Sequence, residues 1–129
     1  MRTGWGAYGR PVHQIGRRGG TLPAPPEVVW QSLAEPHAPG ARPWLALRED
    51  EVEPRVLRAV RAELLVWSSL WPGRPDDVLT FDVRPAGAGT ALRWTLTTPG
   101  ELPDDGTTAR LRHRVDRLLW SDLRLSYGR

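Results

Sequence analysis

The sequence of 129 residues contains no cysteine. A disulfide framework and thiolate chemistry are therefore excluded, and the chain is compatible with a reducing cytosol. There is also no apolar run of about 18 residues, and no signal-peptide hydrophobic region follows Met1. We therefore expect a cytoplasmic protein without stable membrane insertion.

Lysine is absent as well, so all 18 basic residues are arginines. Because arginine keeps its proton to very high pH, the isoelectric point is about 10.5 although the net charge is only +3. The 15 acidic residues are interspersed among the basic ones, and four of them cluster between Glu49 and Glu53. A nucleic-acid-binding protein concentrates positive charge on one face. We expect no nucleic-acid partner, and a solvated loop at 49–53.

Residues that hold metals or perform catalysis are few. His13, His37 and His113 are widely spaced and, without cysteine, show no metal-ligand spacing. Ser68 and Ser69 lack the context of an activated nucleophile. The sequence thus predicts no metal site, no cofactor and no recognisable catalytic residue.

Tryptophan supplies most of the aromatic content, with seven residues against two tyrosines and one phenylalanine. The length and the 40% hydrophobic content are typical of one domain with a real core. Residues 1–10 contain three glycines in a polar setting and are predicted to form a loosely ordered lead-in. The single domain is then expected over residues 11–129.

A turn stiffened by prolines leads into a short helix between Leu22 and Leu33. Proline suits the first helical turn, so Pro25 and Pro26 can open a helix with Val29, Trp30 and Leu33 on one side. The prolines and glycine of 35–43 favour a connector after it. The predicted strands are Val12–Thr21 as an irregular edge, then Trp44–Leu47, Pro54–Val60, Glu63–Trp71, Asp77–Arg84 and Gly89–Thr98.

The last two strands alternate apolar and polar residues around a hairpin loop at 85–89, which predicts a half-buried antiparallel sheet. A C-terminal helix over about 107–127 can cover its apolar face. At about 100° per residue, one apolar stripe forms on this helix. The stripe contains Leu111, Val115, Leu118 and Leu125, with Leu119 at its edge and Asp122 in its middle.

Three passages resemble the START-like helix-grip (SRPBCC) superfamily, in particular its polyketide cyclase and Hsp90-ATPase-activator-like branches. Leu22–Leu33 is similar to the entry of that family, Val78–Leu96 to its late hairpin, and Leu111–Tyr127 to its closing helix. The resemblance implies an α+β helix-grip fold, with a curved antiparallel sheet around a long C-terminal helix and a short helix or helices after the first strand. The family usually has six strands between its early and last helices, whereas this chain has room for four or five.

The resemblance further implies an apolar cavity between sheet and helix that binds a small hydrophobic molecule, lipid- or polyketide-like. Asp122 is either a structural partner of neighbouring groups or a polar anchor for the ligand, and Arg93 and Arg114 could pair with an acid or hold a ligand carboxylate. The expected ligand-binding residues are Trp44, Trp67, Phe81, Trp94, Leu96, Val115, Leu118, Leu119 and Asp122.

Two other functions fit the same pattern. The cavity could serve a cyclase- or hydratase-type enzyme, although no catalytic set of that family is matched here. A filled core would instead favour an interaction protein, as would exposure of Trp5, Trp71 or Trp120. We expect a monomer or weak homodimer.

Overall fold

A computed structural model describes residues 3–5 and 11–128 of the chain. Within these residues the strands form one curved, six-stranded antiparallel sheet in the order β1-β2-β6-β5-β4-β3. The strands are β1 Thr3–Trp5, β2 Pro11–Leu22, β3 Val56–Val60, β4 Leu64–Ser68, β5 Val78–Ala86 and β6 Gly89–Thr98. The helices are α1 Pro26–Ala34, α2 Asp105–Arg117 and α3 Arg124–Ser126, and a π-helical segment, Leu118–Leu123, joins the last two.

The α+β helix-grip prediction is confirmed, with a short helix after the first long strand and a long C-terminal helix against the sheet. In the stretch 35–104, which is described throughout, four strands lie between the early and the last helix. That number is at the low end of the four or five expected. In the described ranges no helix is long and apolar enough to cross a membrane.

Strand β2 pairs with β1 over its first three residues and with β6 along most of its length. Beyond His13 the strand pairs with β6 alone, as expected of an edge strand, and a register shift between Gln14 and Gly16 makes it irregular. The predicted lead-in, residues 1–10, contains β1, and its other residues lie outside the described part of the chain.

Two glycines of β2 leave space for side chains of the C-terminal helix. A Cβ atom at Gly16 would lie 2.6 Å from Cγ of Arg112, and one at Gly20 would lie 2.9 Å from the ring of Trp120. Both glycines occur on the same face of the strand, because residues four apart in a strand point the same way. The helix can therefore approach β2 closely at these two positions.

Helix α1 begins as the prolines predict, with Pro25 as its N-cap and Pro26 as its first residue. Val29 and Leu33 are fully buried against the sheet. The expected strand at Trp44–Leu47 was wrong, since these residues have no regular structure. Contacts distant in sequence hold them instead, because the Trp44 indole donates to the Ser32 carbonyl and Arg114 donates to the Ala46 carbonyl.

The hairpin of β5 and β6 follows the predicted alternation closely. Its turn contains Gly87 at φ +58°, a conformation that favours glycine. Phe81 and Trp94 are cross-strand partners with fully buried side chains. The even positions of β6 from Thr90 to Thr98 are buried as well, so this hairpin forms the centre of the core.

The C-terminal helix departs from the predicted stripe in its second half. Asp104 caps α2 by accepting a hydrogen bond from the Thr107 amide. The π-helical segment places one extra residue in a turn, since its hydrogen bonds run from residue i to i+5. Leu123 is consequently fully buried, whereas Leu125, expected in the stripe, is 60% exposed.

Candidate functional site

Eight of the nine expected ligand-binding residues lie together in the core. Each is 7% exposed or less, and all belong to one cluster of packed side chains. These residues are Trp44, Trp67, Phe81, Trp94, Leu96, Val115, Leu118 and Leu119. Asp122 lies outside this cluster with its side chain 33% exposed, because the π-helical segment turns Leu123 inward instead. The role of these nine residues as ligand contacts stays a prediction.

Three aromatic rings form a continuous column from the connector into the core. Trp44 stacks on Trp67 with ring centroids 6.2 Å apart and an angle of 15° between the planes. Trp67 meets Phe81 edge to face at 4.9 Å. Both indole N–H groups donate to carbonyls of α1, Trp44 to Ser32 and Trp67 to Leu33. The column is thereby fixed to the C-terminal half of α1.

A cleft of about 360 Å³ opens beside this column. It lies between α1, the connector and the end of the C-terminal helix, and Trp44 forms part of its wall. Its volume falls within the range of roughly 300–1,000 Å³ that is usual for small-molecule sites. The lining comprises Val28, Gln31, Ser32, Glu35, Pro36, Ala38, Pro39, Gly40, Ala41, Arg42, Trp44, Ser126 and Tyr127.

Tyr127 supplies one of the polar groups in the wall of the cleft. Its hydroxyl lies 3.0 Å from Oγ of Ser32, so it joins the end of the C-terminal helix to α1. Burial raises the pKa of Tyr127, and the hydrogen bond to Ser32 offsets only part of that effect. Tyr127 is therefore a neutral phenol at physiological pH.

A buried ion pair joins the C-terminal helix to the loop that follows Trp44. Nε and Nη2 of Arg114 each lie 2.7 Å from an oxygen of Glu51, and Nη2 also donates to the Ala46 carbonyl at 2.9 Å. The pairing with an acid, one of the roles considered for Arg114, is thus observed. An oxygen of Asp122 lies 4.0 Å from Nη1 of Arg114, on the exposed side of the ion pair. Arg93 is exposed and faces Asp82 in the strand register.

Two charged residues have structural roles that the sequence pattern did not predict. Glu51 belongs to the acidic run expected to be solvated, yet its side chain is only 1% exposed. Asp116 accepts hydrogen bonds from the indoles of Trp94 and Trp120 at 3.0 and 3.1 Å. Most of their partners are distant in sequence, 63 positions for Glu51 and Arg114 and 98 positions for Asp116 and Arg18, so the local pattern did not indicate these roles.

Trp71 and Trp120, whose exposure would have favoured an interaction protein, are largely covered. Trp71 is 6% exposed, and Trp120 is half-buried over Gly20. Trp5 lies outside the residues whose side chains are described. Among the side chains described in 11–128, no group of three histidine, aspartate or glutamate residues could hold a metal ion.

The sheet wrapped on a long C-terminal helix, with a short helix after the first long strand, is a helix-grip fold. Solved structures share this fold at low sequence identity. CalU16 from Micromonospora echinospora is 16% identical, and the match covers 98% of this chain and 80% of that chain with a TM-score of 0.68. The Aha1 dimer from Colwellia psychrerythraea is 16% identical over 84% of this chain and 91% of that chain, with a TM-score of 0.63.

A third similar structure is DynU16, described as a putative protein in the dynemicin biosynthetic locus. It is 20% identical, and the match covers 79% of this chain and 44% of that chain with a TM-score of 0.57. At these identities the likeness shows a common fold. No family model matches the sequence, and no curated protein matches it significantly.

Proposed function

We propose that this protein binds a small hydrophobic molecule in the cleft beside Trp44 and Tyr127. The observation that carries the proposal is a cleft of about 360 Å³ whose wall continues into the Trp44–Trp67–Phe81 column. A concave site that combines apolar walls with fixed polar groups is the usual form of a small-molecule site, and this cleft contains both. The helix-grip fold, and its occurrence in a protein of a biosynthetic locus, support the same function.

The proposed site lies at the edge of the core, whereas most of the ligand-binding residues expected from the sequence lie at its centre. The inner residues expected to contact the ligand, such as Trp94 and Leu118, pack against their neighbours with 0–1% exposure. Trp44 instead belongs both to the core and to the wall of the cleft. A ligand in the cleft would therefore rest on the outer end of the aromatic column and take its affinity mainly from buried apolar surface.

A lipid- or polyketide-like ligand, a cytoplasmic location, and a monomer or weak homodimer belong to the same proposal. They rest on the composition and on the resemblance of the three sequence passages. Native mass spectrometry of protein purified from its own host tests the ligand directly. We expect a stoichiometric small apolar molecule that denaturing extraction releases.

A fluorescent probe tests the location of the site. N-phenyl-1-naphthylamine, an uncharged apolar dye, should bind the protein with enhanced fluorescence. The substitution Ala41→Trp places a large ring in the cleft and should weaken dye binding at least fivefold, by loss of accessible apolar wall. The matched control is Ala88→Trp, at an exposed position of the β5–β6 turn.

Equal dye affinity in the wild type, Ala41→Trp and Ala88→Trp would contradict the cleft as the site. An absence of dye binding, together with a protein that is empty when purified from its host, would overturn the proposed function and favour a filled-core interaction protein.

A further inference from the structure

The polar wall of the cleft has hydrogen bonds with a fixed direction. A hydroxyl group has one proton to donate and two lone pairs to accept with. The Ser32 hydroxyl lies 2.9 Å from the Val28 carbonyl, which can only accept, so Ser32 donates its proton there. The 3.0 Å bond between Ser32 and Tyr127 must then be donated by the Tyr127 hydroxyl.

The neighbouring hydroxyl in the cleft is committed in the same way. The Ser126 hydroxyl lies 2.6 Å from the Leu123 carbonyl and donates to it. Both Ser126 and Tyr127 line the cleft, and the hydroxyl proton of each is donated to another group of the protein. Toward a bound molecule they therefore present lone pairs only. Three cleft side chains carry N–H donors: the Trp44 indole donates to the Ser32 carbonyl, and Gln31 and Arg42 are exposed to solvent.

We propose that Tyr127 is a specificity-determining residue that selects apolar ligands carrying a hydroxyl or another hydrogen-bond donor. This inference rests on the proposed function, because it concerns the same cleft. The selection arises because Ser32 holds the proton of Tyr127. A ligand hydroxyl can donate to the phenol oxygen, whereas a ligand ether meets two acceptors facing each other and leaves one of them unsatisfied.

Two probes of nearly the same shape test the selection. 1-Naphthol has a hydroxyl where 1-methoxynaphthalene has a methyl ether, and the binding of both can be measured by isothermal titration calorimetry. The wild type should bind 1-naphthol about fivefold more tightly than 1-methoxynaphthalene, from one additional hydrogen bond. In Tyr127→Phe the ratio of the two dissociation constants should fall about fivefold, through loss of 1-naphthol affinity. The ratio separates recognition from stability, because a variant that merely loosened the fold would weaken both probes together.

The substitution Ser32→Ala makes a second and opposite prediction. It removes the acceptor of the Tyr127 proton and leaves the phenol free to donate into the cleft. Binding of 1-methoxynaphthalene should then strengthen about threefold, while Tyr127 and its ring remain.

The outcomes separate the two proposals. If neither probe binds a wild type that does bind N-phenyl-1-naphthylamine, this inference fails and the proposed function stands. If that dye does not bind either and the protein is empty when purified from its host, both proposals fail. If both probes bind but their ratio is the same in the wild type, Tyr127→Phe and Ser32→Ala, only the role of Tyr127 is overturned.

Discussion

Arg114 and Glu51 form an ion pair across 63 positions of the sequence, closed by two hydrogen bonds of 2.7 Å. The exposed fractions of their side chains are 6% and 1%. The backbone amide of Arg48 donates to the same carboxylate at 2.9 Å. The pair therefore fastens the loop that follows Trp44 onto the C-terminal helix, where regular secondary structure is absent.

Removal of one partner should leave the other as an uncompensated buried charge. We expect Arg114→Met to lower the free energy of unfolding by about 3–5 kcal/mol. Arg117→Met is the matched control, since Arg117 lies on the same helix and is exposed, and it should change stability by no more than about 0.5 kcal/mol. Urea denaturation followed by far-ultraviolet circular dichroism measures both. Similar losses in the two variants would contradict the structural role of the pair.

The same pair should make stability depend on acid. Burial raises the pKa of Glu51, but hydrogen bonds from Arg114 and Arg48 and the charges of both arginines together hold it below its ordinary value. The unfolded chain thus binds this proton first as the pH falls. The stabilisation is present above the ordinary glutamate range and is lost as the pH falls through the lower, folded pKa.

The wild type should therefore be more stable than Glu51→Gln at pH 7, and the difference should shrink on acidification to about pH 3. Urea denaturation at both pH values provides the comparison. Glu49→Gln, which removes an exposed carboxylate of the same loop, should cost no more than about 0.5 kcal/mol at pH 7. A difference between wild type and Glu51→Gln that is constant with pH would exclude this linkage.

Asp116 provides a third test, because one of its oxygens accepts two indole N–H groups. Asp116→Ala leaves the donor of the fully buried Trp94 without a partner, and we expect a loss of about 1–3 kcal/mol. Asp116→Asn keeps one carbonyl oxygen at the site and gives up the ion pair with the largely exposed Arg18, so its cost should be smaller. Equal stability of the two variants would refute the role of the shared acceptor.

Adjacent glycines in β2 provide a matched pair for packing. A Cβ atom at Gly20 would lie 2.9 Å from Trp120, whereas the nearest atom to one at Gly19 is 3.8 Å away. Gly20→Ala should displace the indole and lower stability by about 1–3 kcal/mol. Gly19→Ala should be neutral or stabilise by up to about 1 kcal/mol. Thermal unfolding and the near-ultraviolet circular dichroism of tryptophan report both effects, and a stable Gly20→Ala with an unchanged spectrum would refute the close approach.

The elements predicted best from the sequence are those whose signals are local. Pro25 and Pro26 open α1 as expected, and the alternation from Leu79 to Leu96 places β5 and β6 with almost correct bounds. In each case the residue pattern and the tertiary structure favour the same conformation, so the local signal is sufficient.

Predictions failed where distant contacts decide the conformation. Trp44–Leu47 is rich in apolar residues, yet hydrogen bonds to Ser32 and Arg114 hold it out of the sheet. The helical stripe was projected at a constant turn per residue, and that assumption fails at the π-helical segment. The cleft was missed because its walls come from three parts of the chain that only the fold brings together.

The π-helical segment changes the direction in which the side chains after it project from the helix. One additional residue turns everything beyond it by about 100° relative to an uninterrupted α-helix. The same rotation that turns Leu123 into the core also turns Tyr127 toward Ser32 of α1. The irregularity of the last helix is therefore what brings the phenol to the cleft, and a strictly periodic helix of the same composition would present a different residue there.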